Sequence, residues 1–272
     1  MFAGQVWWIT GASSGIGEGL ALELARRGAS LILSGRNVAE LERVAAACGD
    51  ALVLPFEATD YAALPGITEQ AWGWKGRVDA LVNNAGISQR SLAVDTDFSV
   101  YERMIGVDLL APIALTQANL PRMVAAGSGR IVAISSVAGL VGSPMRSAYS
   151  AAKFGLVGYH DSVRAENEHL GVQVHVVAPG SVKTNVSRNA LLADGSRRGV
   201  SDAVIENGIS IEQSAQTILD AIATGQRELV MARGMEAEIV KMRRADPEAL
   251  FTRMSAVVAQ GYAQKMDSDD SK

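Results

Sequence analysis

A chain of 272 residues is long enough for one large α/β domain or two small ones. Its 48% hydrophobic and 20% charged residues suit an ordinary protein with a sizeable core, and a net charge of −4 leaves no basic footprint for nucleic acid. One cysteine, Cys48, excludes an intrachain disulfide framework and fits a reducing compartment.

Residues 5–9 read as the first strand. No charged region followed by an apolar run stands before them, so no signal peptide is expected. No stretch nears the ~20 apolar residues of a membrane-spanning helix, and the cytosol is the expected compartment. A glycine-rich turn leads into a helix carrying Leu20, Leu22 and Leu24, stopped near Gly28. A strand at 31–33 follows, then a helix opened by Asn37, a good N-cap residue, with Cys48 as a small apolar residue near its end. Residues 51–54 form a third strand, Asp60 is placed to cap the next helix, and residues 80–82 form a fourth strand. A long helix runs from about 98 to 124 with Pro112 inside it, where proline kinks a helix and frees a carbonyl. The fifth strand (131–134), a second long helix (149 to about 169), a β-branched sixth strand (172–177), a helix at 211–223 and a strand at 228–230 complete the series.

Short apolar runs alternating with amphipathic segments are the signature of βαβ units. They predict one Rossmann-like, doubly wound α/β domain over residues 1–232, with a mostly seven-stranded parallel sheet and helices on both faces. Its ligand crevice is expected beyond the carboxyl ends of the strands. Residues 233–272 read as a helical extension ending in a disordered tail from Asp267 to Lys272. Within it Leu250, Phe251, Met254, Val257, Val258 and Tyr262 recur at helical spacing, a stripe suited to packing on the same domain or a partner subunit.

Three groups of residues carry chemistry. Gly11, Gly15 and Gly17, with Ser13, Ser14 and Ile16 between them, join the first strand to the first helix. Glycine lets the backbone turn tightly and approach a ligand, and the helix N-terminus presents unpaired N–H groups to a pyrophosphate. At the end of the second strand, where an acidic residue would bind a ribose 2′-hydroxyl, the chain has Ser34-Gly35-Arg36-Asn37. Arg36 offers a charged planar fork with no carboxylate in its way, which favours NADP(H) over NAD(H). Tyr149 and Lys153, four apart on a helix, share a face. An ammonium beside a phenol favours the phenolate and makes the tyrosine a proton donor and acceptor near neutral pH. His160, His169 and His175 show no ligand motif, and no metal site is expected.

These motifs, with Asn83-Asn84-Ala85-Gly86, Ser136 and Pro179-Gly180-Ser181-Val182-Lys183-Thr184, resemble the short-chain dehydrogenase/reductase family of the single-domain type, in its order and approximate spacing from residue 5 to about 230. The resemblance implies hydride transfer between a nicotinamide and a carbonyl or carbinol carbon, with Tyr149 as acid/base. Lys153 would bind the nicotinamide ribose, and Ser136 would hold the substrate oxygen. Ser135 points the other way, since adjacent strand residues face opposite sides. Glu57-Ala58 stands where the family carries an aspartate-led pair contacting adenine. Asn84 is expected beside the adenosine ribose and Thr184 at the nicotinamide carboxamide. Asp108 replaces a family asparagine whose main-chain carbonyl holds a water in a proton relay, and its carboxylate either joins that relay or bonds to neighbouring backbone.

Between Thr184 and about Ile211 the family forms a substrate lid, here containing Leu191, Leu192, Arg197 and Arg198. With Met145 expected in the same pocket, the implied substrate is a small, apolar alcohol or ketone. The stretch around Asn189 to Gly199 resembles a reductase subgroup with some membrane-anchored members. Dimers or tetramers through the two long helices are implied. A non-catalytic dinucleotide sensor or scaffold is the alternative, and a sugar-nucleotide epimerase or dehydratase a third reading; the complete Ser136–Tyr149–Lys153 set favours the reductase.

Overall fold

Seven of the apolar runs become strands, all parallel: β1 (Val6–Thr10), β2 (Ser30–Ser34), β3 (Ala51–Val53), β4 (Ala80–Asn83), β5 (Gly129–Ile134), β6 (Val172–Pro179) and β7 (Glu228–Met231). The computed structural model describes residues 2–264. The predicted tail from Asp267 lies outside the described residues. Strand order is β3-β2-β1-β4-β5-β6-β7, so the direction of winding reverses between β1 and β4. A crevice opens at such a switch point, because the loops leaving the two strands turn to opposite faces of the sheet.

Helices α1 (Gly15–Arg26), α2 (Val38–Cys48) and α3 (Leu64–Lys75) cross between the early strands. Then come α4 (Phe98–Ile105), α5 (Ala111–Ala125), α6 (Ser147–Asn167), the short α7 (Ala203–Glu206), α8 (Ile211–Ala223), α9 (Gly234–Ala245) and α10 (Pro247–Ala259). Both faces of the sheet are covered, which is why β1 is apolar without alternation and wholly buried. Its side chains still divide by parity. Trp7 and Ile9 pack with Leu20, Leu24 and Ile218 of α1 and α8, whereas Val6 and Trp8 pack with Leu115, Met123 and Val163 of α5 and α6. The extension docks through Val240 and Leu250 onto Val137 and Val141. Phe251 and Val257 of the predicted stripe remain exposed, and no described helix is long and apolar enough to cross a membrane.

The structure departs from the expected elements in two places. Asp60 accepts from the Ala63 N–H at 3.3 Å and caps a turn before α3, not the helix itself, which begins at Leu64. The single helix expected over 98–124 is three pieces, because a π-turn at Gly106–Leu110 separates α4 from α5. Pro112 has no N–H to give, so the carbonyls of Val107 and Asp108 receive no helical bond from it. The Ala111 N–H reaches back to Gly106 instead. The extra residue in that turn rotates Asp108 into full burial.

One buried relay ties the adenine-side strands together. The Trp8 indole N–H donates to Ser34 Oγ at 2.9 Å, and Ser34 Oγ donates to the Leu54 carbonyl at 2.7 Å. Ser34→Ala would leave both the indole and the carbonyl unsatisfied in a dry setting, at a cost of about 1–3 kcal/mol. Urea denaturation should show that loss of stability with an unchanged m-value; a loss below ~0.5 kcal/mol would mean the two groups find other partners.

Candidate active site

The crevice beyond β1, β4 and β5 is a cavity of about 440 Å³, within the usual range for ligand sites. Every residue predicted for catalysis or cofactor binding lines it except Gly17. Gly17 is buried behind the wall, where an added Cβ would meet Asn84 Nδ2 at 2.5 Å. Its glycine is required by packing of α1 on the turn.

At one end the chain leaves β1 through Gly11 at φ 64 and Gly15 at φ 60, a left-handed backbone that glycine adopts without strain. Asn84 fixes this turn by donating from Nδ2 to the carbonyls of Thr10 at 2.9 Å and Gly11 at 3.2 Å. Thr10 Oγ1 returns the tie, accepting the N–H groups of Asn84 at 3.0 Å and Ala85 at 3.1 Å. Ser14 holds the N-cap position of α1 but makes no side-chain cap bond. The first-turn N–H groups are thus presented to the crevice beside Ser13, an arrangement suited to a pyrophosphate. Thr184 Cγ2 lies close to Gly15, 3.1 Å from where a Cβ would stand.

Arg36 corrects one expectation. A carboxylate does stand beside it: Glu57 Oε2 lies 3.4 Å from Arg36 Nη1, both side chains being about half exposed. Glu57 also accepts from the Thr59 N–H and hydroxyl through Oε1. Glu57-Ala58 lines the crevice as predicted, but with its acceptor turned to Arg36 and Thr59. The two residues lie far apart in sequence and meet because β2 and β3 are paired neighbours.

At the other end α6 presents Tyr149 and Lys153 to the crevice. The Lys153 ammonium lies 5.7 Å from the Tyr149 ring centroid, donates to the Ile134 carbonyl at 3.0 Å and pairs with Asp108 Oδ2 at 3.1 Å. Asp108 Oδ1 accepts the Ile87 N–H at 2.9 Å. Gly86 makes this approach feasible, since a Cβ there would stand 2.8 Å from the Asp108 carboxylate. Burial pushes the Asp108 carboxyl above the usual carboxylate range, against the pull of Lys153 and the Ile87 N–H. Burial also works against the Lys153 ammonium, but Asp108 and then Tyr149 outweigh it and carry the group above its ordinary value. The lysine therefore keeps the proton in this pair. Further along α6, His160 is fully buried and pushed down to about 4, chiefly by that burial.

Ser135 and Ser136 follow the end of β5 and both line the crevice, so the two are separated by their partners and not by face. Ser135 Oγ donates to the Lys153 carbonyl at 3.1 Å and so anchors α6, while Ser136 Oγ accepts the Ala138 N–H at 3.1 Å. Several contributors had no sequence signal. Gln89 Oε1 accepts the Ala148 N–H at 2.7 Å and the Tyr149 N–H at 3.4 Å, capping the catalytic end of α6. Glu236 of α9 accepts the N–H of Ser181 at 2.9 Å and its hydroxyl at 2.8 Å, tying the extension to the Pro179–Thr184 loop. Met145, expected in the pocket, is buried outside its lining at φ 61, and Arg146 lines the crevice in its place.

A profile of the short chain dehydrogenase family matches residues 5–194. The chain is 37% identical over 258 residues to "Dehydrogenase/reductase SDR family member 7B" of Bos taurus, covering 91% of this chain and 79% of that one. It is 38% identical over 267 residues to the Danio rerio protein of the same name, covering 94% and 86% respectively. A short-chain dehydrogenase structure from Streptomyces avermitilis superposes with a TM-score of 0.81 at 27% identity, over 94% of this chain and 97% of that one. A Burkholderia phymatum short chain dehydrogenase/reductase in complex with NAD superposes equally well, at 0.81, with 22% identity over 91% and 95% of the two chains.

Asp108→Asn removes the nearest counter-charge to Lys153 while keeping an acceptor for the Ile87 N–H. With burial then opposed mainly by Tyr149, the lysine should titrate at lower pH than in the unaltered protein. NMR of carbon-labelled lysine across the alkaline range checks this; an unmoved Lys153 titration would assign its charge to the Ile134 carbonyl instead.

Proposed function

The chain belongs to the short-chain dehydrogenase family and is an NAD(P)-dependent oxidoreductase; from its own residues we propose that it prefers NADP(H) to NAD(H) and acts on the carbonyl or secondary alcohol of a small molecule with an apolar body. The observation that carries this reading is the convergence of Ser136, Tyr149 and Lys153 in the same crevice as an uncapped helix N-terminus. When bound, the nicotinamide supplies or accepts the hydride. Everything else falls to the protein.

Tyr149 is the group placed to give a proton to the substrate oxygen in reduction and to take it in oxidation. Ser136 Oγ accepts the Ala138 N–H, and its hydroxyl proton remains for the substrate oxygen. Lys153 stands beside the Tyr149 ring with its ammonium held charged by Asp108. Its remaining N–H is free for a ribose hydroxyl, and Thr184 adds a donor at the nicotinamide end. The Asp108 main-chain carbonyl, deprived of a helical partner by Pro112, is an acceptor for a relay water behind the lysine.

Preference for NADP(H) rests on Arg36. A 2′-phosphate would displace Glu57 as its partner, exchanging a single half-exposed ion pair for charge-assisted bonds to a doubly charged group. A homodimer or homotetramer follows from the same reading, supported by the exposed Phe98 of α4, Leu110 of the π-turn and Phe154 of α6; light scattering at micromolar concentration should give a multiple of the 28.6 kDa chain mass.

Tyr149→Phe keeps the ring and loses the proton. NADPH binding should survive while turnover on a ketone panel falls by ~10²–10⁴-fold, and undiminished turnover would overturn the mechanism. In fluorescence titrations Arg36→Ala should weaken NADPH roughly tenfold or more with little change for NADH. Glu57→Gln should tighten NADPH by freeing the guanidinium. Equal affinity of the unaltered protein for both cofactors would remove the case for NADP.

A further inference from the structure

Resting on the oxidoreductase reading, we infer that Gln89 is a positioning residue for the acid/base: its buried amide fixes the first turn of α6 and with it the place of the Tyr149 hydroxyl. The tyrosine stands where a helix is least able to hold a side chain. It is the third residue of α6, inside the first turn, where backbone N–H groups have no acceptor within the helix. Arg146 occupies the N-cap position, makes no side-chain cap bond and is not of a residue type that caps well. The Ser150 N–H reaches the Arg146 carbonyl at 2.7 Å, so regular helical bonding begins only after Tyr149. The Tyr149 ring packs beside Ala138 and Leu191 and faces Lys153, and no described residue hydrogen-bonds its hydroxyl. Its place is set by that packing and by the backbone that carries it.

What the helix start lacks is supplied from a distant segment. Gln89 Oε1 accepts the Ala148 N–H at 2.7 Å and the Tyr149 N–H at 3.4 Å. The other end of the amide is engaged as fully. Its Nε2 donates toward Ser91 Oγ at 3.1 Å, Thr96 Oγ1 at 3.2 Å and the Ser91 carbonyl at 3.3 Å. Thr96 Oγ1 in turn gives its proton to the Leu92 carbonyl at 2.6 Å. A flipped amide would set NH₂ against two N–H groups and oxygen against a carbonyl, so one orientation fits. Gln89 is 1% exposed. It does not reach the crevice that its neighbours Ile87 and Ser88 line, so it acts through the tyrosine's backbone and not by touching substrate.

The same segment carries the stretch that follows Thr184. The Ser88 carbonyl accepts the Leu191 N–H at 2.7 Å, and the Leu191 carbonyl accepts the Arg90 N–H at 2.8 Å. These bonds flank Gln89 and pair it with Leu191. Leu191 is buried in one cluster with Ala148, Tyr149 and Ala152. The stretch over the crevice therefore reaches the acid/base by two routes: Leu191 against the ring, and segment 88–91 through the Gln89 amide to the backbone. A proton donor must meet the substrate oxygen closely, and a displacement of ~1 Å costs a rate on the order of 10²-fold. Gln89 spends its acceptor on the tyrosine and the residue before it, where such a displacement would begin.

The test uses the full chain, NADPH and a ketone that the unaltered protein reduces. Gln89→Met keeps the length of the side chain and removes both ends of its amide. NADPH affinity by fluorescence should stay within about twofold, while kcat falls roughly tenfold or more with a smaller change in KM. Gln89→Glu retains an acceptor for the two N–H groups, at a helix end that favours negative charge, and should recover part of kcat. A double-mutant cycle separates positioning from general support. Added to Tyr149→Phe, Gln89→Met should cost less than about twofold, because the hydroxyl it places is already gone. Where Gln89→Met does not fold, the same cycle is run with Thr96→Val, which removes one partner of the amide N–H and should lower kcat severalfold. Equal losses with and without Tyr149→Phe, or an unchanged kcat, would overturn the proposal. Should no ketone be reduced by the unaltered protein, the redox reading is what suffers, and NMR of ring-labelled tyrosine decides the positioning. Gln89→Met should then shift or broaden the signal that vanishes in Tyr149→Phe, and an unmoved signal sinks the proposal.

Discussion

An ammonium kept charged in a dry place is the constraint around which this molecule is arranged. Lys153 is almost fully buried, and a lone charge there would cost several kcal/mol. It is met by a carboxylate, a carbonyl and the face of an aromatic ring. Each comes from a different element: Asp108 from the π-turn, Ile134 from the end of β5, Tyr149 from one turn back on α6. The π-turn exists to deliver the first, Gly86 to make room for it, and Ser135 to hold the lysine's own backbone. A local departure from regular helix is thus the geometric expense of a cation that must not lose its proton.

Much of this was legible from residue order. Tyr149 and Lys153 at helical spacing and the glycine turn after an apolar run follow from backbone periodicity, which the sequence displays directly. Pro112 announced a disturbed helix and an orphaned carbonyl. What stayed hidden depends on contacts between distant segments. The Glu57–Arg36 pair exists because two strands lie side by side, and nothing near either residue signals it. Met145 looks like a pocket residue in sequence, yet it is buried at positive φ outside the lining, where its neighbour Arg146 stands instead. Gln89 and Glu236 are ordinary polar residues in sequence, made important only by the helix end and loop they reach.

Glu236 also gives the extension a part in the site. Helices α9 and α10 rest on the sheet edge through Val240 and Leu250, yet one carboxylate reaches the loop after β6 and takes both donors of Ser181. The loop that carries Thr184 is therefore fixed from two sides, by β6 behind it and by α9 above. Gly180, where an added Cβ would collide with that carboxylate, is the residue that permits the arrangement.

The latch formed by Asn84 couples events that are separate in most binding sites. Its amide joins the ends of β1 and β4, strands more than seventy residues apart in the chain and adjacent in the sheet. Closing that latch is at once the completion of the switch point and the shaping of the cradle for a pyrophosphate. A ligand that binds only the closed form stabilises it by RT ln(1 + [L]/Kd), about 2.7 kcal/mol at a hundredfold excess over Kd. Because the latch belongs to the centre of the sheet, that increment is delivered to global unfolding and not to a peripheral loop. Bound dinucleotide would then lower the fraction of chains open to proteolysis by the same increment.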